Sequence, residues 1–161
     1  MLALSLYQPW ATLVMIGAKR IETRSWSTDH RGAIFLHASK KKSREQINLW
    51  HEEPFHSVLR EAGIRRWQDL PLGAVLGTVE IIDCKPIVAE YVPTAAGLSE
   101  WHEEQDATGM QPPPEPERSF GNYGPGRFAW MLDRPNKFNT PIPHPGRQRL
   151  FNIHPQALGL Q

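Results

Sequence analysis

Cysteine is almost missing from the chain: Cys84 stands alone among 161 residues. No intrachain disulfide can form, and the setting expected for such a chain is reducing, intracellular and here read as cytoplasmic. One thiol and seven histidines provide no zinc-ligand spacing, so no metal and no other cofactor is expected. Long apolar runs are missing as well. Nothing approaches the length of a membrane span, so no membrane partner is expected. Met1 to Leu6 lacks a basic lead and an extended apolar core, and is not read as a secretory leader. Strands and helices do not alternate over lengths that would build a parallel doubly wound sheet.

What is present suits one domain over residues 1–161, long enough to bury about 70% of its unfolded surface. Hydrophobic content of 40% and charged content of 22% are ordinary for a globular chain. The net charge of +1 conceals an asymmetry. Residues 1–50 carry +5, residues 51–123 carry −8 and residues 124–161 carry +4. Both ends are basic and the middle is acidic. If the ends meet in the fold, they form a surface suited to an anion such as a phosphate backbone; otherwise each run is a solvated face.

The stretch Gly17-Ala18-Lys19-Arg20-Ile21-Glu22-Thr23-Arg24-Ser25-Trp26 organises the reading. Trp10 to Ile16 reads as a short helix, with Pro9 at its start. Gly17 falls where that helix would end, in the left-handed conformation glycine takes freely. A strand follows. Alternate side chains on a strand share a face, so Glu22, Arg24 and Trp26 point to one side, with Lys19 beside them at the preceding turn. Taken alone, such a face is commonly solvated, with ion pairs worth about 0–1 kcal/mol each. Trp10 either anchors its helix in the core or lines a cleft as a flat stacking surface.

Elsewhere, Leu2, Leu4 and Leu6 alternate with smaller residues and read as a sheet edge with one buried side. Ala33–Ala38 reads as a central strand interrupted by His37, either a satisfied structural group or a candidate base. Lys40-Lys41-Lys42 is a solvated loop or a phosphate-facing patch. Ser43 and Gln46 form a capping box for a helix starting at Arg44. Pro54 starts another, with Phe55, Val58 and Leu59 on its apolar face and Gly63 at its close. Ala74–Cys84 is the longest strand candidate, and Gly77 inside it suggests a bulge or a close backbone approach. Leu98 to Glu104 reads as a short helix. Gln111 to Glu117 is a polyproline-type segment in a loop around residues 105–125 that is expected to be mobile. Arg127–Leu132 is another strand, Pro141 to Gly146 punctuate a loop, and Arg147 to Ile153 form a last strand or extended segment. Together these predict an α+β fold: a small mixed barrel with two or three helices packed outside.

Leu4-Ser5-Leu6-Tyr7-Gln8-Pro9-Trp10-Ala11, followed by the G-x-K-x-x-E-x-R run at Gly17, Lys19, Glu22 and Arg24, resembles the ASCH domain family. Further matches are Leu70 to Gly77, Gly126 to Trp130, and Pro141-Ile142-Pro143 leading to Gly146-Arg147-Gln148. The resemblance spans nearly the whole chain apart from residues 86–122. It implies a β-barrel of the pseudouridine-synthase-associated RNA-binding (PUA) type, a cleft formed by the motif, and association with RNA or another nucleic acid. One small branch of the family is an amidohydrolase that deacetylates acetylcytidine with a lysine, a threonine and a glutamate. Its lysine corresponds to Lys19, but its threonine position holds Glu22 here, so that set is not reproduced.

Two functions of different class follow. In the first, Trp10 and Trp26 stack bases, Lys19, Arg24 and Arg147 supply charge or fork onto a base edge, and Glu22 accepts from an amine or positions its neighbours. Gln148 reads a base edge as donor and acceptor, and His37 completes the base-binding set. The ligand is RNA, another nucleic acid or a nucleoside. In the second, the protein is a hydrolase of a modified nucleoside, with Lys19 activated by Arg24 and Glu22 moving the proton; Glu22 beside Lys19 works against that activation. A ribonuclease using the same cations, with His37 as base, ranks third. Oligomeric state stays open.

Overall fold

The computed structural model describes residues 1–88 and 109–160. The helix expected over Leu98–Glu104, and the loop residues 105–108, lie outside them. Six strands form one sheet in the order β2-β5-β4-β3-β1-β6. These are β1 (Leu2–Leu6), β2 (Ile21–Arg24), β3 (Gly32–Ala38), β4 (Ala74–Pro86), β5 (Phe128–Pro143) and β6 (Leu150–Asn152). Only β1 and β3 run parallel; every other pair is antiparallel. Among the described residues, three short α-helices accompany them: α1 (Trp10–Met15), α2 (Arg44–Asn48) and α3 (Phe55–Glu61).

The sheet curls into a half-barrel, an α+β arrangement consistent with a PUA-like fold. One contact measures the curl. β2 lies at one sheet edge and three strands separate it from β1, yet Arg24 Nη2 donates to the Ser5 carbonyl at 3.1 Å. Helix α1 plugs the concave side. Its Ala11, Val14 and Met15 pack with Leu4, Leu36, Ile81 and Trp130. Its other side presents Leu13 to a second cluster with Trp50, Phe55, Leu59 and Phe120, which seats α3. The convex face of the sheet is covered by Phe151, Ile153 and Leu158 against Phe35 and Val75.

Local signals explain most of these elements. Gln8, buried before α1, accepts from Thr12 N at 3.1 Å and donates to the Pro71 carbonyl at 2.8 Å, which starts the helix and ties it to the segment entering β4. Both capping-box bonds are made at α2: Gln46 N to Ser43 Oγ at 3.2 Å and Ser43 N to Gln46 Oε1 at 2.9 Å. On α3, Phe55 and Leu59 are buried and Val58 half-buried, as the apolar stripe requires.

Two strand readings need correction. β1 is an interior strand, not an edge, because the three residues of β6 pair outside it. Ala3 and Leu4 point to opposite faces and both are fully buried. β5 continues through Pro141 and Pro143 instead of ending in a loop there. Past Leu132 the strand has outrun β2 and pairs with β4 alone, so prolines without an N–H interrupt no ladder on the open side. A left-handed residue, Arg134 (φ 49°), marks the bulge that lets β5 run on.

Gly77 is a close-approach glycine. A Cβ there would lie 2.2 Å from the carbonyl oxygen of Asn136 on β5, and the register of β4 shifts on both sides of it. Backbone cannot yield as a flexible side chain does, so Gly77→Ala is expected to destabilise by about 1–3 kcal/mol. Urea unfolding would show a lower midpoint at unchanged slope; an unchanged midpoint would mean that the strands separate freely here.

Candidate functional site

Gly17 (φ 77°) ends α1, with the N–H groups of Gly17, Ala18 and Lys19 capping carbonyls of Val14 and Leu13. The chain then turns directly into β2. Ile21 and Thr23 face inward while Glu22 and Arg24 share the opposite, half-buried face, so the expected parity is present. Lys19 does not sit on the surface. Its side chain has no exposure, and its ammonium donates to the Ile21 carbonyl and, at 2.8 Å, to the Phe120 carbonyl. The Glu22 carboxylate lies 3.6 Å away. Glu22 in turn is 3.0 Å from Arg24 Nε, a contact out of line for a hydrogen bond that leaves this nitrogen buried with no acceptor. The three motif residues therefore converge.

Burial pulls the Lys19 ammonium below the ordinary lysine range, opposed by the charges of Glu22 and Glu117; Arg24 is the smallest influence. The like-charge effect assigned to Arg24 from the sequence is thus minor beside desolvation.

A strap over residues 117–123 closes the site from a distant part of the chain. Glu117 accepts from Arg20 N at 2.8 Å and Ile21 N at 3.1 Å. The Tyr123 hydroxyl donates to Glu117 at 3.3 Å, and both burial and that neighbouring charge push the phenol pKa up. Asn122 N donates to Thr23 Oγ1 at 2.9 Å, and Arg127 bridges the Asn122 and Thr23 carbonyls at 3.1 Å each. Phe120 inserts beneath, edge-on to Phe55 at 5.1 Å. So this part of the Pro-rich loop is pinned to β2 at several points.

Between the β1–α1 junction, β2 and the strap lies a cavity of about 340 Å³, within the span of small-molecule sites. Leu6, Trp10 and Phe120 supply apolar wall, and Glu22, Thr23, Arg24 and Asn122 supply polar groups. Tyr7, 45% exposed, stands at its edge. Trp10 serves both roles considered for it: half-buried, edge-on to Phe55 at 6.3 Å, and lining the cavity.

The remaining candidates are placed around this cavity and not in its wall. Lys19 braces it from below. Trp26 stacks edge-on against Trp130 at 4.6 Å, with the Arg149 guanidinium 5.6 Å over its ring. His37 is buried, its Nε2 2.9 Å from the His144 carbonyl and its Nδ1 3.0 Å from Ser5 Oγ. The carbonyl requires Nε2–H, so Nδ1 accepts from the serine. Burial lowers the His37 pKa. Gly146 packs directly on that pair, which sets the exposed Arg147 and Gln148 beside Ser5. Residues that the sequence reading missed are Tyr7, Thr23, Glu117, Phe120 and Asn122. Tyr7 sat inside the quoted motif; the strap's one signal was an acid and an aromatic ending a proline run. Among the described residues, no group of three or more His, Cys, Asp or Glu is placed to hold a metal, and no helix is long and apolar enough to cross a membrane.

Residues 4–139 match the sequence profile of the ASCH domain. Over 81 residues the chain is 41% identical to activating signal cointegrator 1 of Homo sapiens, a match covering 50% of this chain and 14% of that protein. The Mus musculus protein of the same name is 40% identical over 81 residues, with the same coverage.

Removing Lys19 leaves the Glu22 carboxylate and two carbonyls without their buried donor. Lys19→Ala is expected to cost about 3–5 kcal/mol and to raise amide exchange along residues 117–123; a variant as stable as the parent would contradict the bracing role. His37 has its folded pKa depressed below the ordinary value of 6.5. Between the two values the unfolded chain holds the extra proton, so stability falls as pH drops through that window. His37→Gln is expected to flatten the loss seen on acidification from about pH 7 to about pH 5. Parallel curves for the two proteins would show that some other group carries it.

Proposed function

The chain belongs to the ASCH domain family, and from that premise we propose that it binds nucleic acid, RNA foremost, by taking one unstacked base into the cavity between α1, β2 and the strap. The observation that carries this reading is the pairing of an aromatic wall with an oriented, half-buried guanidinium. Trp10 and Tyr7 offer ring surface on which any base stacks. Arg24 is held by the Ser5 carbonyl at 3.1 Å and Glu22 at 3.0 Å, and keeps a buried Nε without an acceptor. Asn122, mostly exposed at the cavity edge, adds an amide that both donates and accepts. The family's general link to RNA binding supports the same choice.

A recognition role fits the cleft better than hydrolysis. The Lys19 amine is committed to two carbonyls and Glu22, and Glu22 lies between two cations, which leaves neither as an uncommitted base. Nucleosides carrying a base modification are natural occupants of a cavity this size.

Fluorescence polarisation with a labelled single-stranded RNA tests the reading. Trp10→Ala is expected to weaken binding by about 1–3 kcal/mol, the worth of one base stack. Asn122→Ala removes an edge amide whose Oδ1 also accepts from Gly124 N at 3.1 Å, and is expected to weaken binding while the protein stays folded at the assay temperature. Free acetylcytidine is expected to stay intact on incubation. Unchanged affinity in both variants would remove the cavity from the account, and Lys19-dependent turnover of acetylcytidine would move the protein to the hydrolase class.

A further inference from the structure

Arg20, Arg31, Arg66, Lys85 and Arg134 each have a carboxylate within 3.5 Å. Among the described residues, Lys40, Lys41, Lys42, Arg147 and Arg149 have none within 4.0 Å, and neither do Arg44, Arg60, Arg65, Arg127 and Lys137. The first five of these are gathered by the topology. Leu6 at the end of β1 pairs with Ala38 at the end of β3, and Ser39 N donates to the Leu6 carbonyl at 2.8 Å, so the three lysines begin one residue beyond the cavity wall. On the other flank Gly146 packs on Ser5, which places Arg147 next to the same wall. Arg149 covers Trp26, two residues past Arg24. Two separate loops thus bring exposed positive charge to one end of the half-barrel, beside the cavity.

We propose that this collar is a phosphate-backbone site, and that the ligand is a single-stranded polynucleotide whose flanking phosphates cross Lys40–Lys42 and Arg147–Arg149 while one base occupies the cavity. The inference rests on the cavity reading and extends it from a base to a strand. Arg147 was a candidate from the sequence; the lysine run, which reads on its own as a solvated loop, gains its role from position. A free nucleoside has no phosphate for the collar, and a duplex keeps its bases stacked away from the cavity.

The test is salt-dependent binding of a labelled RNA about 10 nucleotides long, within the site sizes of single-strand binders. The same sequence as single-stranded DNA, as duplex and as the mononucleotide makes three further arms. Each phosphate contact contributes about 0.7 to the slope of log affinity against log salt for a single strand. The triple variant Lys40→Ala, Lys41→Ala, Lys42→Ala is therefore expected to flatten that slope by about 2 with an unchanged melting temperature. Arg31→Ala, a paired cation outside the collar, is expected to leave it as it was. The flattened slope with either RNA or DNA single strand supports the proposal, the two arms telling which sugar is preferred. A parental slope in the triple variant overturns the collar while leaving the cavity reading standing. So does a mononucleotide, or a duplex, that binds as tightly as the strand. No binding in any arm overturns both.

Discussion

A lysine with no solvent exposure has to place its donors inside the protein, and the placement of the Lys19 ammonium organises the whole site. Its bonds run to Ile21 on its own turn and to Phe120, 101 positions along the chain, with Glu22 alongside. Desolvating an ammonium is expensive, and the arrangement is tolerable only because the carbonyls and the carboxylate are fixed around it. That requirement fixes the strap against β2, since moving Phe120 away would strip a buried charge of one acceptor. It also fixes Glu22, and through Glu22 the side chain of Arg24. The cavity is the space these commitments leave beside α1.

The motif's local consequences were readable from the residues. Gly17 as helix terminator, the shared face of Glu22 and Arg24, the Ser43–Gln46 box and the constriction at Gly77 are each set within a few residues by backbone conformation or periodicity. What escaped was set by partners far along the chain. Nothing near Lys19 announces burial; its acceptors at Phe120, and the acid at Glu117 that holds the preceding amides, come from the least patterned part of the chain. β1 looked like an edge because β6 contributes only Leu150–Asn152, too few residues to show a period. β5 looked short because proline is read as a breaker, and whether it breaks depends on whether a neighbouring strand needs its N–H. Of the candidate side chains, Trp10, Glu22 and Arg24 line the cavity, Lys19 braces it, and Trp26, His37, Arg147 and Gln148 surround it.

The charge pattern acquires meaning only in the fold. Two basic ends of the chain come together because β1 pairs with both β3 and β6, and the Met1 amino group itself donates to the Ile153 carbonyl at 2.8 Å. Several cations elsewhere are paired with carboxylates, while those beside the cavity mouth have none within 4.0 Å. Such a surface favours a long anion over a small one. Ring surface beside it at Tyr7, Trp10 and Trp26 favours an anion that carries bases. His37, satisfied on both ring nitrogens, holds Ser5 and the segment bearing Arg147 in register and so shapes the mouth without lining it.

Amide and indole chemical-shift mapping during titration with a single-stranded RNA addresses the central claim most directly. The largest shifts are expected to cluster at Tyr7, the Trp10 indole, Thr23 and Phe120 to Asn122, around one concavity. Shifts centred on the β4–β5 hairpin near Glu80 and Arg134, or scattered over the surface without a centre, would contradict it.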